Sequence, residues 1–264
     1  MSEFIEEIAG FKLFLDPYNG VTTDMKNILN DKIEFEKNLL ILIQQLQKEN
    51  RRLLWITFDL KNANLIEIAA REGFTFHNCE KESIMMVKEL VLNPIVPTAP
   101  THTLGVGAIV INDRNELLVI KERVSNIGYK LPGGHIDLGE KISDAVQREV
   151  LEETGINVEF ESISSVSHFH PHQFGKGNLY ILCKCRALSY EINITDTQEI
   201  LDAKWIDVNE YLSSEETFEF GKEIVQSSLS FEGLKIEDLD CFKNFPKKYE
   251  LFFPVRKDVT EYSF

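Results

Sequence analysis

Three prolines fall within seven residues that show neither helical nor strand periodicity: Pro94, Pro97 and Pro100. Proline has no backbone N–H and cannot continue a helix or a central strand. Residues 93–101 are therefore predicted to be a linker. It divides the 264-residue chain into a first domain over 1–92 and a second over 102–264, and both lengths are ordinary for single domains.

The first domain is predicted to be a small α/β unit. Apolar residues recur at helical spacing over roughly residues 24–49, and a shorter helix over 64–72 is expected to stop at Gly73. Four segments are predicted to be strands: 11–15, 53–60, 74–79 and 83–87. Alternating strands and helices are typical of a sheet covered by helices.

The second domain is predicted to contain more strands. They are expected at five places: 104–111, 116–120, 157–169, 178–190 and about 203–206. The first two flank Asn112-Asp-Arg-Asn115 and are predicted to pair as a hairpin. A loop with a helix is expected over 131–155. The tail over 212–240, with Phe218 among its apolar positions, is predicted to be helical, and the last twenty residues are predicted to be irregular.

The chain is strongly acidic. It has 28 Lys and Arg against 43 Asp and Glu, so the formal net charge is −15. Binding to nucleic acid or to an anionic membrane surface by bulk attraction is therefore excluded, because both are polyanions. An anionic substrate would need a local cation to neutralise it. Hydrophobic residues make up 43% of the chain, which suffices for a packed core and excludes wholesale disorder.

The cysteines and the apolar runs predict a cytoplasmic protein. Four cysteines form neither a C-x-x-C pair nor a zinc spacing: Cys79, Cys183, Cys185 and Cys241. The middle two lie in an apolar run and are predicted to be reduced packing residues. The run Asn38–Ile43 is too short to span a membrane, and the acidic residues at 1–7 are unlike a targeting peptide. We therefore expect a reducing, intracellular environment.

One acidic segment carries the functional information. It reads Gly134-His-Ile-Asp-Leu-Gly-Glu140, then Lys141–Gln147, then Arg148-Glu-Val-Leu-Glu-Glu-Thr-Gly-Ile156. A helix turns by about 100° per residue, so Glu149, Glu152 and Glu153 share an arc of about 100°. Two like charges about 4 Å apart repel by roughly 4 kcal/mol at an effective dielectric constant of about 20. A cation must offset that repulsion, and clusters of carboxylate oxygens favour Mg²⁺ or Mn²⁺.

The neighbouring residues suit such a site. Arg148 lies four residues before Glu152 and reaches a carboxylate on the same helix face. Gly133 and Gly134 allow a tight turn that aims a backbone carbonyl at the cation. Gly155 is predicted to end the helix in the left-handed conformation. A solvated acidic helix face is the alternative interpretation, and the glycines together with Arg148 argue against it.

This segment resembles the Nudix box, the signature of the Nudix hydrolase family. The pattern is Gly, five residues, Glu, seven residues, then Arg-Glu-apolar-any-Glu-Glu-any-Gly-apolar, and every fixed position is matched. The resemblance implies an α/β/α sandwich around a mixed sheet, with the box forming a loop, a helix and a loop. It also implies hydrolysis of a nucleoside diphosphate linked to another moiety, with Mg²⁺ or Mn²⁺ as the cofactor.

The resemblance implies which residues bind the metal. Glu149 and Glu153 are the expected principal ligands. Glu152 and the carbonyl of Gly133 are expected to be additional ligands. Glu140 is expected to act on the metal indirectly or through a water molecule.

The resemblance also implies that two further residues contribute to this site. Arg148 is expected to orient a carboxylate. Family members often recruit another Glu from a downstream loop as a base or ligand, and Glu199 is the candidate here. An ordinary loop carboxylate is the alternative for Glu199.

Segments outside the box resemble the Nudix motif 6 type proteins and plant Nudix hydrolases that act on ADP-ribose and NADH. The segments are Tyr18–Val21, Trp55, Ala70–His77, Thr101–Gly107, Phe174–Lys176 and 191–205. This resemblance implies ADP-ribose or NADH as the substrate. It also implies a smaller GNAT-like (acyltransferase-like) α/β domain before the Nudix domain, which assists a homodimer or covers the active site. Asn78 and Cys79 depart from the pattern, because His and Ala are expected there.

Two other functions fit parts of the sequence. A nucleotide-sensing regulatory protein would use the Nudix fold without turnover, although such proteins usually have an eroded box. A working acyltransferase at the N-terminus would need a Gln/Arg-x-x-Gly-x-Gly/Ala loop for a pyrophosphate, and the sequence has none there.

Several side chains outside the box have both a functional and an ordinary interpretation. His168, His170 and His172 alternate as on one strand face, but Pro171 interrupts that strand, which leaves a substrate loop or surface histidines rather than zinc. Four aromatic residues are candidates to stack on a base or to pack in the core: Phe169, Phe174, Tyr180 and Trp205. The run Lys243–Lys248 is either a phosphate contact or a solvated edge.

Overall fold

The computed structural model describes residues 4–25, 28, 30–215, 217, 219–242, 244 and 246–255. It divides into two compact units, Met1–Thr101 and His102–Phe264. The division falls at the end of the predicted linker, and each unit has a hydrophobic core of its own.

The first unit is a six-stranded sheet with two helices. Its strands are β1 Phe4–Ile8, β2 Phe11–Leu15, β3 Val21–Asp24, β4 Leu53–Asp59, β5 Thr75–Cys79 and β6 Ser83–Glu89, and its helices are α1 Lys32–Lys48 and α2 Ile66–Arg71. The strand order is β1-β2-β3-β4-β6-β5. The β3–β4 pair is parallel and its neighbours are antiparallel. The four predicted strands are confirmed, and β1 and β3 are additional to them.

The long helix α1 begins later than predicted. The sequence predicted a helix over 24–49, but Asp24 ends β3, and Asp31 caps α1 by accepting the N–H of Glu34 over 2.8 Å. The apolar residues of α1 are buried: Phe35, Leu39, Leu42, Ile43 and Leu46. The apolar spacing thus identified the buried face, whereas the cap at Asp31 sets the first turn.

The second unit contains seven strands among its described residues. They are β7 His102–Val110, β8 Glu116–Glu122, β9 Val158–Phe169, β10 Gly177–Ala187, β11 Ile200–Asp207, β12 Leu234–Ile236 and β13 Phe252–Pro254. A five-stranded sheet has the order β13-β12-β9-β10-β7, and β8 pairs with β11 in a separate sheet. Strand β10 runs parallel to β7 and antiparallel to β9, so this sheet is mixed.

Helices cover the strands of the second unit on two sides. The helices are α3 Ile142–Thr154, α4 Val208–Ser213 and α5 Glu219–Leu229. Ile181 and Cys183 of β10 pack in a core with α3, whereas Leu182 packs in a core with α4 and α5. Successive residues of a strand point to opposite faces, so the sheet is buried on both. This is the predicted α/β/α sandwich.

Three predictions for the second unit are wrong at least in part. The turn at Asn112–Asn115 forms and Ile111 makes one antiparallel bridge with Leu117, but the pairing does not continue as a hairpin ladder, because β8 pairs with β11 over seven positions and β7 pairs with β10. The tail over 212–240 is not one helix, because α5 ends at Leu229 and β12 follows. Strand β13 also gives the last twenty residues a regular element, since it pairs with β12. Phe218 lies outside the described residues.

The cysteines are divided between core and surface. Cys183 and Cys185 are buried in the core under α3, as predicted, while Cys79 and Cys241 are exposed. Burial raises the pKa of the Cys183 thiol to about 12. Within the described part of the chain, no helix is both long and apolar enough to cross a membrane.

Candidate active site

The loop before α3 pairs with β7. Ala108 donates its N–H to the carbonyl of Pro132 over 2.8 Å, and Val106 donates to that of Gly134 over 2.9 Å. Peptide groups alternate in direction along a paired strand. Gly133 itself makes no backbone hydrogen bond to β7 among the described residues.

Only glycine fits at position 133. Its φ is +147°, and a Cβ there would lie 2.1 Å from the carbonyl oxygen of Val106. The N–H of Gly133 donates to the Glu153 carboxylate over 2.7 Å. Among the described residues, no hydrogen bond uses the carbonyl oxygen of Gly133, so that oxygen is available as a ligand.

The three glutamates of α3 lie at increasing depth. The Glu152 side chain is 52% exposed, that of Glu149 is 15% exposed, and Glu153 is 5% exposed. Burial raises the pKa of Glu149, and it raises the pKa of Glu153 to about 8. The negative charge of Glu199 adds to both shifts. Glu199 is thus near enough to both carboxylates for its charge to act on them.

Arg148 joins the acidic residues of the box. Its guanidinium forms two hydrogen bonds with Glu140, of 2.8 and 2.9 Å, and donates to Glu149 and Glu152 over 2.9 and 3.1 Å. A fifth bond of 3.0 Å reaches the carbonyl of His135. All five N–H groups of the guanidinium are therefore used. The hydrogen bonds from Arg148 lower the pKa of Glu140.

The loop after β10 is fastened to the C-terminal end of α3. The hydroxyl of Thr195 and the N–H of Asp196 both donate to the carbonyl of Glu152, over 2.8 and 3.2 Å. The Asp196 carboxylate then accepts the N–H of Glu199 over 3.1 Å. Gly155 ends α3 in the left-handed conformation, as predicted, with a φ of +73°. These contacts satisfy terminal carbonyls of the helix and hold Glu199 beside it.

The donor set suits a hard divalent cation. It consists of carboxylates that repel one another and of the Gly133 carbonyl, which accepts no hydrogen bond from the described residues, and Mg²⁺ and Mn²⁺ prefer such oxygen ligands. As the side chains stand, no three His, Cys, Asp or Glu side chains of the described residues surround a common point. Arg148 and the N–H of Gly133 hold the carboxylates instead. The metal roles of these residues stay predictions.

An aromatic pocket lies beside the glutamates. It has a volume of about 170 Å³ and is lined mainly by apolar and aromatic side chains, among them Tyr129, Tyr180, Tyr211 and Phe220. Tyr180 connects the pocket with the site, because its hydroxyl lies next to Gly133. Burial and the charge of Glu153 raise the pKa of Tyr180. A flat apolar group in this pocket would adjoin the acidic cluster.

Lys130 and Glu122 are site residues that the sequence did not reveal. They form an ion pair, and the charge of Lys130 lowers the pKa of Glu153. A bridge between Ile120 and Lys130 brings the two segments together. No local pattern marks either residue, since this pairing is specific to the tertiary fold.

The remaining candidates do not line the aromatic pocket. His168 is within hydrogen-bond distance of His102, 2.9 Å between the two Nε2 atoms. Trp205 packs against the core on the α3 side of the sheet, and its indole N–H donates to the carbonyl of Tyr190. It is therefore not in the pocket. Phe174 is 95% exposed. Phe169 contacts the ring of Phe220 at its edge, 5.8 Å between centroids. Lys243 and Phe245, within the run Lys243–Lys248, lie outside the described residues.

Comparisons with known proteins match both units of the chain to Nudix families. The NUDIX domain family matches residues 101–227, and a second family, described as Nudix hydrolase domain, matches residues 11–90. Nucleoside diphosphate-linked moiety X motif 6 from Xenopus laevis is 39% identical over 208 residues, which cover 75% of this chain and 95% of the relative. Nudix hydrolase 7 from Arabidopsis thaliana is 34% identical over 232 residues, which cover 83% and 81%.

A mixed-sheet sandwich that carries a glutamate-rich helix after a paired glycine loop defines a hydrolase domain of the Nudix type. The chain belongs to the Nudix hydrolase family, and the sequence prediction of the family is confirmed. Members of this family act on nucleoside diphosphate-linked moieties.

Proposed function

We propose that the protein hydrolyses the pyrophosphate bond of ADP-ribose, of NADH or of both, with Mg²⁺ or Mn²⁺. The single observation that supports this most is that Glu149 and Glu153 lie next to the glycine loop, where Gly133 donates to Glu153 and the charge of Glu199 acts on both glutamates. Such a cluster needs a cation, and an anionic substrate needs one as well in a chain of net charge −15.

The residues of the chain have separate tasks in this proposal. Glu149, Glu153 and the Gly133 carbonyl hold the cation, with Glu152 as a further ligand. A divalent cation bound there supplies charge neutralisation, polarises a phosphoryl oxygen and lowers the pKa of a water molecule. Arg148 keeps Glu149 and Glu152 in place. Glu199, whose charge acts on Glu149 and Glu153, serves as a base or as another ligand.

The aromatic pocket supports a nucleoside as one half of the substrate. Tyr180 lies between the pocket and Gly133, so a base that stacks in the pocket leaves its diphosphate near the glutamates. Lys130 adds a positive charge close to Glu153. Attack of water on the pyrophosphate would give AMP and a phosphorylated remainder, which is ribose 5-phosphate for ADP-ribose.

The test is a substrate panel with identified products. ADP-ribose and NADH are incubated with the wild-type protein and Mg²⁺, Mn²⁺ or chelator, and the products are separated by chromatography with mass detection. Glu149→Gln should lower turnover by at least about 100-fold. Asp144→Asn is the matched control, because Asp144 is an exposed carboxylate on another side of α3. Tight nucleotide binding without any AMP would favour the nucleotide-sensing alternative instead.

We also propose that the first unit is a GNAT-like pre-Nudix domain without acyltransferase activity. Its mixed sheet with a parallel β3–β4 pair is compatible with that resemblance, and the sequence lacks the expected pyrophosphate loop. Its proposed task is to assist a homodimer or to cover the active site. Gel filtration of the full chain against residues 102–264 tests the first possibility, and acetyl-CoA consumption by the full chain would contradict the absence of acyl transfer.

A further inference from the structure

The first turn of α3 lacks a local cap. The N-cap position is Lys141, whose side chain makes no capping hydrogen bond. The first N–H groups of a helix have no partner within the helix. The N–H groups of Ile142 and Ser143 therefore need acceptors from elsewhere in the chain.

Glu250 supplies those acceptors from more than 100 residues away. Its carboxylate accepts the N–H of Ile142 over 2.6 Å and that of Ser143 over 3.1 Å. A negative charge at this position also interacts favourably with the positive end of the helix dipole. The contact is thus a charge-assisted cap for the helix that carries Glu149 and Glu153.

A second contact joins the C-terminal region to the loop that precedes α3. The ammonium group of Lys248 donates to the carbonyl of Gly139 over 3.3 Å. Glu140 lies between this contact and the cap. Since Glu140 holds the guanidinium of Arg148, and Arg148 holds Glu149, both contacts act on residues that position the cluster.

The segment that makes these contacts, residues 248–254, is itself anchored, and we call it the C-terminal strap. Its strand β13 pairs with β12, and Phe252 packs against Phe160 with ring centroids 5.9 Å apart. The N–H of Glu237 donates to the carbonyl of Leu251 over 2.9 Å. The position of Glu250 is therefore set by the edge of the five-stranded sheet.

We infer that Glu250 is a positioning residue for the hydrolytic site. Through the strap, the edge of the sheet sets where α3 begins and where Glu140 and Arg148 lie. Small displacements of groups that hold a reacting assembly cost much of its rate. This inference rests on the proposed function, because it assigns Glu250 to the same metal-dependent site.

The experiment uses full-length protein with Glu250→Ala, Glu250→Gln and Asp238→Asn. Asp238 is an exposed carboxylate between β12 and the strap, so Asp238→Asn is the matched control. Three kinds of measurement are made at 25 °C, below the unfolding transition: amide hydrogen exchange of residues 137–152, Mn²⁺ binding followed by the paramagnetic resonance signal of free Mn²⁺, and steady-state kinetics that give kcat and KM for ADP-ribose.

Glu250→Ala should speed exchange at the start of α3 by about tenfold, as expected for a lost cap. It should also raise the Mn²⁺ concentration for half saturation about three- to tenfold and lower kcat more than it raises KM. Glu250→Gln keeps one carbonyl acceptor and should restore part of the wild-type behaviour in all three measurements. Asp238→Asn should leave them unchanged.

Two results would overturn the inference. If Glu250→Ala speeds exchange but leaves Mn²⁺ binding and kcat unchanged, Glu250 only stabilises the helix. If exchange is unchanged, Glu250 does not cap α3 in solution. Failure of the proposed function has another signature, because the wild-type protein would then neither bind Mn²⁺ nor release AMP, and the inference would fall with it.

Discussion

Gly133 and Glu153 are joined by a hydrogen bond of 2.7 Å from the glycine N–H to the glutamate carboxylate. Glu153 is 5% exposed, and burial raises its pKa to about 8. The folded chain without metal therefore favours the neutral acid. Because the ionised form is the one that binds a cation, the same burial that disfavours the charge prepares a strong site for a metal.

We predict that Glu153→Gln stabilises the metal-free protein while it abolishes activity. The folded-state pKa lies above the ordinary value, so stability is fully present below about pH 4.5 and falls as the pH rises toward 8. Glutamine is neutral at every pH, so the variant does not lose this stability as the pH rises. In chelator at pH 8, the free energy of unfolding should rise by about 1–3 kcal/mol, and thermal unfolding at pH 5 and pH 8 measures it.

The control for this prediction is Asp144→Asn, which removes an exposed carboxylate from the same helix. It should change the unfolding transition equally little at both pH values. If Glu153→Gln proved less stable than wild type at pH 8 in chelator, Glu153 would not be a destabilising buried charge.

Gly134→Ala should impair the site more than the fold. A Cβ at position 134 would lie 2.6–2.8 Å from the carboxylate atoms of Glu149. That carboxylate is the end of a flexible side chain, so it moves aside at small cost to stability. We expect at least about a tenfold loss of kcat with the melting temperature nearly unchanged, measured by steady-state assay and thermal unfolding. A collapse of the melting temperature would mean that the backbone has shifted instead.

Arg148→Lys should not preserve the network, although it preserves the charge. The guanidinium uses five N–H groups to hold Glu140, Glu149, Glu152 and the His135 carbonyl. An ammonium group has three donors and no planar fork. We predict at least about a tenfold drop in kcat, and a double-mutant cycle with Glu140→Gln should give strongly non-additive losses. Additive losses would show that the two residues act separately.

The fold sets the reactivity of the cysteines. Burial raises the pKa of Cys183 to about 12, and Cys185 is buried beside it, whereas Cys79 and Cys241 are exposed. The thiolate is the reactive form. An aromatic disulfide reagent at pH 8 should therefore label two of the four thiols quickly and the other two only in denaturant. Peptide mapping identifies the sites, and rapid labelling of Cys183 would contradict the core packing.

The sequence is enough to predict the arrangement of the candidate site where the pattern is local. The periodicity of one helix was enough to place Glu149, Glu152 and Glu153 on one side of α3 with Arg148 among them. The cap from Glu250 could not be predicted, because it joins residues 108 positions apart and no spacing rule connects them. The same holds for β8, whose turn at Asn112–Asn115 suggested a hairpin. The ladder of β8 forms with β11 instead, a choice made by tertiary packing.

Glu199→Gln tests the predicted site residue for which the sequence evidence is weakest. The loop contacts of Thr195 and Asp196 with α3 hold Glu199 near the cluster, and its charge acts on Glu149 and Glu153. As a base or ligand it should contribute about 100-fold or more to kcat, while its exposed side chain adds little to stability. The matched control is Glu191→Gln, an exposed carboxylate earlier in the same loop. Equal activity of the two variants would leave Glu199 an ordinary loop residue.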